Sequence, residues 1–343
     1  MSLKSYIAAM PKVDLGLTFE GAVPLASWLS LADMNEIPLR SKQVAPIVKL
    51  LESPDPATLD TLYGSLGEWV YNIEDLVRLV YDAGVALAKQ NVLYAEMSIT
   101  PTRYTASDIT FEALMEVLSD GCQRVERGWG TKIGWVFNIP REEARRADEI
   151  VRSANSPAGR KHAVVAVGLS GDETNQQLVN YERALAGAER KGIARVIRAG
   201  EQTGALGIRE VLGELPVSRI VTSFPVASDA DLLAQIASSD VTVDVALALA
   251  EALGTSGPGV SYPLAEMVNA GVSTTITALA PARLGKSTSD VYEAAADLGL
   301  DVDQIDALVL NAIAASGLDE DERTALAQRV RDGQSALRVE QLA

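Results

Sequence analysis

The sequence predicts an α/β fold: a closed (β/α)8 TIM barrel with a helical insertion after the first strand and extra helices at the C-terminal end. Three observations predict it. Short apolar, β-branched runs recur along the whole chain, and longer stretches with helical spacing separate them. No Pro/Ser-rich linker, low-complexity tract or fixed-period repeat divides the 343 residues. Residues 1–343 therefore read as one domain, since α/β barrels place about 250 residues or more around a single core.

Eight strands are expected near Val13–Thr18, Val92–Ile99, Lys132–Asn138, Ala163–Ser170, Ala194–Arg198, Ser218–Ser223, Val241–Ala246 and Val272–Thr277. Phe19–Asn91 is too long for one loop and one helix, and its apolar spacing predicts several inserted helices. Amphipathic segments at Phe111–Gly128, Gln176–Gly192 and Asp229–Ser238 supply helices between later strands, with Gly or polar breaks at their ends. Asp290–Leu298, Asp301–Ser316 and Asp319–Arg331 predict helices that cover the barrel exterior, each opening on an aspartate suited to a helix N-terminus.

Composition narrows the chemistry. The 46 acidic residues against 30 basic ones leave a net charge of −16, which repels a phosphate backbone and argues against nucleic acid as partner. The richest apolar stretch, Val241–Gly254, is broken by Asp244 and Glu251, short of the roughly 20 uncharged residues a membrane helix needs. Met1–Met10 carries one Lys and no long apolar segment, so no secretory signal is read there and a soluble, cytoplasmic protein is expected. With Cys122 the one cysteine and His162 the one histidine, neither a disulfide nor a multi-histidine metal site forms within the chain.

Reactive groups of such barrels sit at the carboxyl ends of the strands. Those positions hold Thr18 with Glu20, Glu96 with Ser98, Asn138, Ser170 with Asp172 and Glu173, Arg198 with Glu201, Thr222 with Ser223, Asp244, and Thr277. The ring is polar but not metal-like.

Several segments resemble the adenosine and adenine deaminase family of metal-dependent aminohydrolases, along nearly the whole chain. Pro11-Lys12-Val13-Asp14-Leu15-Gly16-Leu17-Thr18-Phe19-Glu20-Gly21 is similar to the family's first strand, where a zinc-binding His-x-His pair precedes an acidic residue and a glycine; Gly16 and Thr18 replace the pair. Tyr94–Ser98 resembles the second strand and Val167–Glu173 the fourth, whose glycine-rich end lies against the purine in the family. Arg198-Ala199-Gly200-Glu201 resembles a His-Ala-Gly-Glu motif in which the histidine holds zinc and the glutamate moves protons; the glutamate remains and the ligand does not. Val221-Thr222-Ser223 stands for Gly-His-Gly, Leu247-Ala248-Leu249-Ala250 for Pro-Thr-Ser-Asn, and Thr277-Ala278-Leu279 for Thr-Asp-Asp.

The resemblance implies zinc as cofactor, yet Gly16, Thr18, Arg198 and Ala278 occupy its ligand positions, so no metal ligand is assigned. Without zinc, making hydroxide near neutral pH costs on the order of 12 kcal/mol more. Glu201 is the candidate residual acid/base, and Thr18, Glu20, Gly171, Arg198 and Thr222 are the candidate ligand contacts. Arg198 is expected either to clamp an anion or to fill the metal's place, paired with Glu201 or Glu20. Glu96 and Asp244 are expected as pocket-wall acids, and His162 as a solvated turn residue at the opposite end. The Trp28, Trp69, Trp129 and Trp135 side chains are expected in packing. Gly254–Gly259 reads as a flexible loop able to line the mouth, and Gly285-Lys286-Ser287 lacks the first glycine of a phosphate loop.

The chain is thus expected to be a metal-free pseudoenzyme without hydrolytic deaminase activity, a binding or regulatory protein with a pocket for a small polar molecule such as a purine or nucleoside. Two alternatives are enzymes: metal-independent chemistry at Glu201 and Arg198, or residual purine deamination as a hydrolase. A third is a structural partner, with homo-oligomers left open, for which the mouth would be closed by apolar side chains.

Overall fold

The computed structural model describes residues 3–53, 55, 58–105, 109–174, 177–257 and 261–341. Its centre is an eight-stranded, all-parallel sheet in sequential order: β1 (Lys12–Thr18), β2 (Val92–Ile99), β3 (Lys132–Pro140), β4 (Val164–Ser170), β5 (Ala194–Arg198), β6 (Arg219–Thr222), β7 (Thr242–Val245) and β8 (Thr274–Ile276). The ends meet where the Thr18 N–H donates to the Leu279 carbonyl at 2.7 Å and the Ala278 N–H donates to Asp14 Oδ2 at 3.1 Å. The expected TIM barrel is the fold observed.

Helix α1 (Leu3–Ala9) precedes the barrel, and the insertion forms α2 (Phe19–Ala22), α3 (Leu25–Met34), α4 (Ala45–Glu52), α5 (Leu59–Gly67) and α6 (Asp75–Ala88). Next come α7 (Phe111–Trp129), α8 (Ala147–Ala154), α9 (Pro157–Lys161), α10 (Val179–Glu189), α11 (Gly204–Glu214) and α12 (Ala230–Ala237). Short α13 (Leu247–Ala252), α14 (Leu264–Asn269) and α15 (Pro281–Leu284) flank β8, and α16 (Thr288–Asp297), α17 (Val302–Ala315) and α18 (Glu320–Gln341) complete the shell.

Local chemistry sets the boundaries. Helix α7 starts where Thr110 Oγ1 accepts the Ala113 N–H and stops at Gly130, whose φ of +77° suits a left-handed cap. Helices α16 and α17 each open on a capping box, from Ser287 with Asp290 and from Asp301 with Gln304. Asp290 thus caps from the third helical position, not the first as the sequence suggests. Gln176 and Pro258-Gly259, part of the helix and loop read from sequence, lie outside the described residues.

Apolar strand residues such as Val13, Leu15 and Leu17 pack outward against the helices. Inside, the amino-terminal floor holds an ion cluster. Arg219 NH2 donates to Glu96 Oε2 at 2.6 Å, and Arg219 Nε lies 3.2 Å from Asp244 Oδ2, at ion-pair distance without hydrogen-bond alignment. Glu96 and Asp244 are therefore floor residues, not pocket-wall acids: strand alternation turns them inward, but one layer too deep. His162 caps α9 before β4 and is buried rather than solvated. Trp28, Trp69 and Trp135 pack in the core as expected, whereas Trp129 is exposed at the end of α7 with Lys89 over its ring.

Candidate functional site at the barrel mouth

Arg198, the last residue of β5, donates from NH2 to Glu201 Oε2 at 2.7 Å, and its NH1 lies 3.8 Å from Asp60 Oδ2 on α5. The sharp turn between them passes through Gly200 at φ +89°, where a Cβ would stand 2.7 Å from Ile208 Cδ1. Glu173 fixes this turn by accepting the N–H groups of Gly200 and Glu201, each at 2.9 Å, and the Thr203 hydroxyl. Burial disfavours the Arg198 cation, but the carboxylates of Glu201 and Asp60 outweigh it and raise its pKa. Burial raises the Glu201 pKa, the Arg198 charge only partly opposing it, and Glu201 Oε1 is buried without a hydrogen-bond partner among the described residues.

Glu20 does not join that pair. Its Oε1 accepts the Tyr104 hydroxyl at 2.8 Å and Arg103 NH1 at 3.3 Å, in a separate, nearly closed cluster at the end of β1. Thr18 Oγ1 donates to the Leu279 carbonyl at 3.1 Å and lies 3.3 Å from the Tyr63 hydroxyl. Helix α5 therefore crosses the mouth, with Asp60 on Arg198 and Tyr63 on Thr18. Thr222 is fully buried and accepts the Phe224 N–H at 3.0 Å, shaping its own loop. Gly171, at φ +103°, leaves room for Glu142, whose Oε2 would lie 2.6 Å from a Cβ there.

Of the six candidate residues, the structure joins Arg198 and Glu201 directly, sets Glu20 and Thr18 nearby against residues of the insertion and of β2's exit, and places Thr222 at the end of β6 and Gly171 in the bend after β4. Asp60, Tyr63, Arg103, Tyr104 and Arg141 are mouth residues that sequence reasoning missed. Only Arg141 had a readable signal, since it immediately follows β3.

Below this polar rim, Val136, Ala166, Val196, Val221 and Ala246 of the barrel interior pack with Leu249 of α13 and Leu279 after β8. Leu249 and Leu279 are each only 1% exposed. Leu247-Ala248-Leu249-Ala250 is the buried start of α13, so the segment that departs from the family pattern lays an apolar plug beneath the rim; the rim itself is not closed by apolar side chains, as a structural partner would require, because Arg198 and Glu201 stay 13% and 17% exposed.

These residues do not fit zinc. A Cβ on Gly16 would stand 2.7 Å from Thr277 Cγ2, so that position has no room for an imidazole. Ala278 offers a methyl, Arg198 a cation, and the Thr18 hydroxyl is engaged with a carbonyl. Among the described residues no group of three or more His, Cys, Asp or Glu side chains is placed to hold a metal ion. No helix described is long and apolar enough to cross a membrane.

Comparison with known proteins gives consistent matches. A family model described as adenosine deaminase matches residues 11–333. The aminodeoxyfutalosine deaminase of Streptomyces avermitilis is 29% identical over 331 residues, 96% of this chain and 92% of that protein. An adenine deaminase of Rhizobium leguminosarum bv. trifolii is 27% identical over 281 residues, 80% of this chain and 86% of that one. A solved amidohydrolase from Burkhoderia ambifaria with bound zinc superposes with a TM-score of 0.86 at 20% identity, covering 98% of this chain and 94% of that chain.

Proposed function

Because the chain belongs to the adenosine deaminase family, we propose that it is a metal-free binding or regulatory member that does not deaminate by the zinc route. The observation that carries this is the Arg198–Glu201 pair: a guanidinium stands where the resemblance calls for a zinc-binding histidine, 2.7 Å from the glutamate that would move protons. A second fixed cation beside it would meet like charge, and Glu201 already serves as counter-ion. The ligand class is a small polar molecule of purine or nucleoside type, since the relatives are named for deaminating adenine and aminodeoxyfutalosine. Arg198 and Glu201, 13% and 17% exposed, are the accessible polar groups such a ligand would meet, with Asp60 on the rim.

The chain's residues then have binding roles only. Arg198 presents planar donors, Glu173 and Gly200 fix its position, and the Leu249–Leu279 plug excludes water below it. A metal-independent enzyme is the second reading, favoured by the unpartnered Glu201 Oε1 and the raised Glu201 pKa, which suit a general acid or base.

The test is metal analysis of protein produced with zinc, with adenosine, adenine and aminodeoxyfutalosine turnover and a thermal-shift screen against purines and nucleosides. The expected result is substoichiometric zinc, no turnover, and a raised Tm with one purine or nucleoside class that Arg198→Ala abolishes. Stoichiometric zinc with turnover lost in Glu201→Gln overturns the proposal. Turnover without zinc, lost in Glu201→Gln, selects the second reading.

A further inference from the structure

A groove of about 690 Å3 runs on the outside of the barrel between α8 and α10. The two helices, with the residues that end α10, carry four cations, Arg152, Arg183, Arg190 and Lys191, and four carboxylates, Asp148, Glu149, Glu182 and Glu189. All four cations line the groove, and of the carboxylates only Asp148 does. In a chain with 46 acidic residues against 30 basic ones, that sorting leaves a cationic strip on an acidic molecule.

Two of the acids that turn away are engaged elsewhere, Glu149 with Arg146 Nε at 2.7 Å and Glu189 with Arg195 NH2 at 3.1 Å. Within the groove, Asp148 pairs with Arg183. Arg152 donates from Nε to the Asp148 carbonyl at 3.2 Å, and its terminal nitrogens have no acceptor among the described residues. Neither Arg190 nor Lys191 has a carboxylate at ion-pair distance among those residues. Arg190 folds back over the groove: a Cβ on Gly187, one turn earlier, would stand 3.8 Å from its NH2 and meet no other side chain beyond its chain neighbours within 4 Å. Gly187, Ala184 and Val151 thus form a floor without long side chains. At the carboxyl end of α8, Asn155 lines the same groove, and its Oδ1 is buried with no hydrogen-bond partner among the described residues.

Arg190 and Lys191 end α10, where positive charge complements the helix dipole. The dipole favours their charge but gives the strip no counter-ion, and like charges along one groove repel until an anion joins them. We propose that this groove binds a small polyanion of the diphosphate class, its phosphoryl oxygens on Arg152, Arg190 and Lys191 and a phosphoryl hydroxyl donating to Asn155 Oδ1. Three cations without carboxylates match a ligand that carries several charges on a short frame, and guanidinium forks suit phosphoryl oxygens. The eight residues of α8 span about 12 Å, enough for a diphosphate, whereas the net charge of −16 repels an extended phosphate backbone. No residue of the groove belongs to the Arg198–Glu201 mouth, so this site is independent of the function proposed above.

Isothermal titration calorimetry of the full chain with inorganic pyrophosphate and inorganic phosphate tests it. Pyrophosphate is expected to bind saturably, more weakly as salt is added, with phosphate at least about tenfold weaker. The exposed pair Arg190→Gln/Lys191→Gln is expected to weaken pyrophosphate about tenfold or more. Gly187→Leu keeps every charge, fills the open helix face and is expected to do the same, which separates seating in the groove from diffuse attraction. Arg124→Gln/Arg127→Gln, on the exposed face of α7, is expected to leave binding unchanged. No saturable pyrophosphate binding, equal binding of phosphate, unchanged binding in either groove variant, or an equal loss in the α7 variant each overturns the proposal.

Discussion

Asp14, on β1 inside the barrel, has one satisfied and one unsatisfied oxygen. Oδ2 accepts the Ala278 N–H and the Thr288 hydroxyl, whereas Oδ1 is buried with no hydrogen-bond partner among the described residues. Burial raises its pKa to about 6, against the opposing hydrogen bonds. The folded protein then holds a proton that the unfolded chain has released by about pH 4, so this group's contribution declines as pH rises from about 4 to 6, by on the order of 3 kcal/mol. Urea unfolding of Asp14→Asn across that window is expected to show a flatter pH dependence; an unchanged slope refutes the assignment. At neighbouring Gly16, the 2.7 Å approach to Thr277 predicts that Gly16→Ala costs about 1–3 kcal/mol by overpacking, read as a lower urea midpoint at unchanged m-value.

Among the elements, α13 and α5 determine what the mouth has become. Leu249 inserts from α13 into the apolar plug, so Leu249→Ala is expected to cost about 2–5 kcal/mol and to raise hydrogen exchange in the loops after β7 and β8. Unchanged exchange there would mean the plug is held elsewhere. The strands were legible because β-branched runs and polar breaks are local signals: β2 and β5 fall where read, and the others differ by no more than two residues at an end. The role of α5 was not legible. Asp60 meets Arg198 across 138 residues of sequence (198 less 60), and nothing local to a helical insertion marks which of its faces will bridge the mouth. The choice of Glu201 over Glu20 as the partner of Arg198 was hidden for the same reason, since Arg103 and Tyr104, which claim Glu20, come from the far side of β2. The replaced residues at positions 16, 18, 198 and 278 could be read directly, because a resemblance aligns positions one by one.

At the scale of the whole molecule, the floor cluster joins distant parts of the chain. Arg219 meets Glu96 and Asp244 and also donates to the Leu15 and Ala315 carbonyls at 3.3 and 3.1 Å, while Glu96 Oε1 accepts the Gly317 N–H at 2.7 Å. Removing the cation alone leaves two buried carboxylates, so Arg219→Met is expected to lose about 3–5 kcal/mol. Arg219→Met with Glu96→Gln and Asp244→Asn is expected to recover part of that loss in the same urea titration. If the single and triple variants unfold alike, the cluster is not electrostatically coupled.

The attachment at Ala315 and Gly317 also has a consequence for synthesis. Until the segment joining α17 to α18 leaves the ribosome, Arg219 and Glu96 each miss a main-chain partner, so a nascent chain stalled before that point should remain protease-sensitive although all eight strands have emerged. Release of the last helices would then coincide with the gain of resistance, making the barrel a late, nearly all-or-none product of translation.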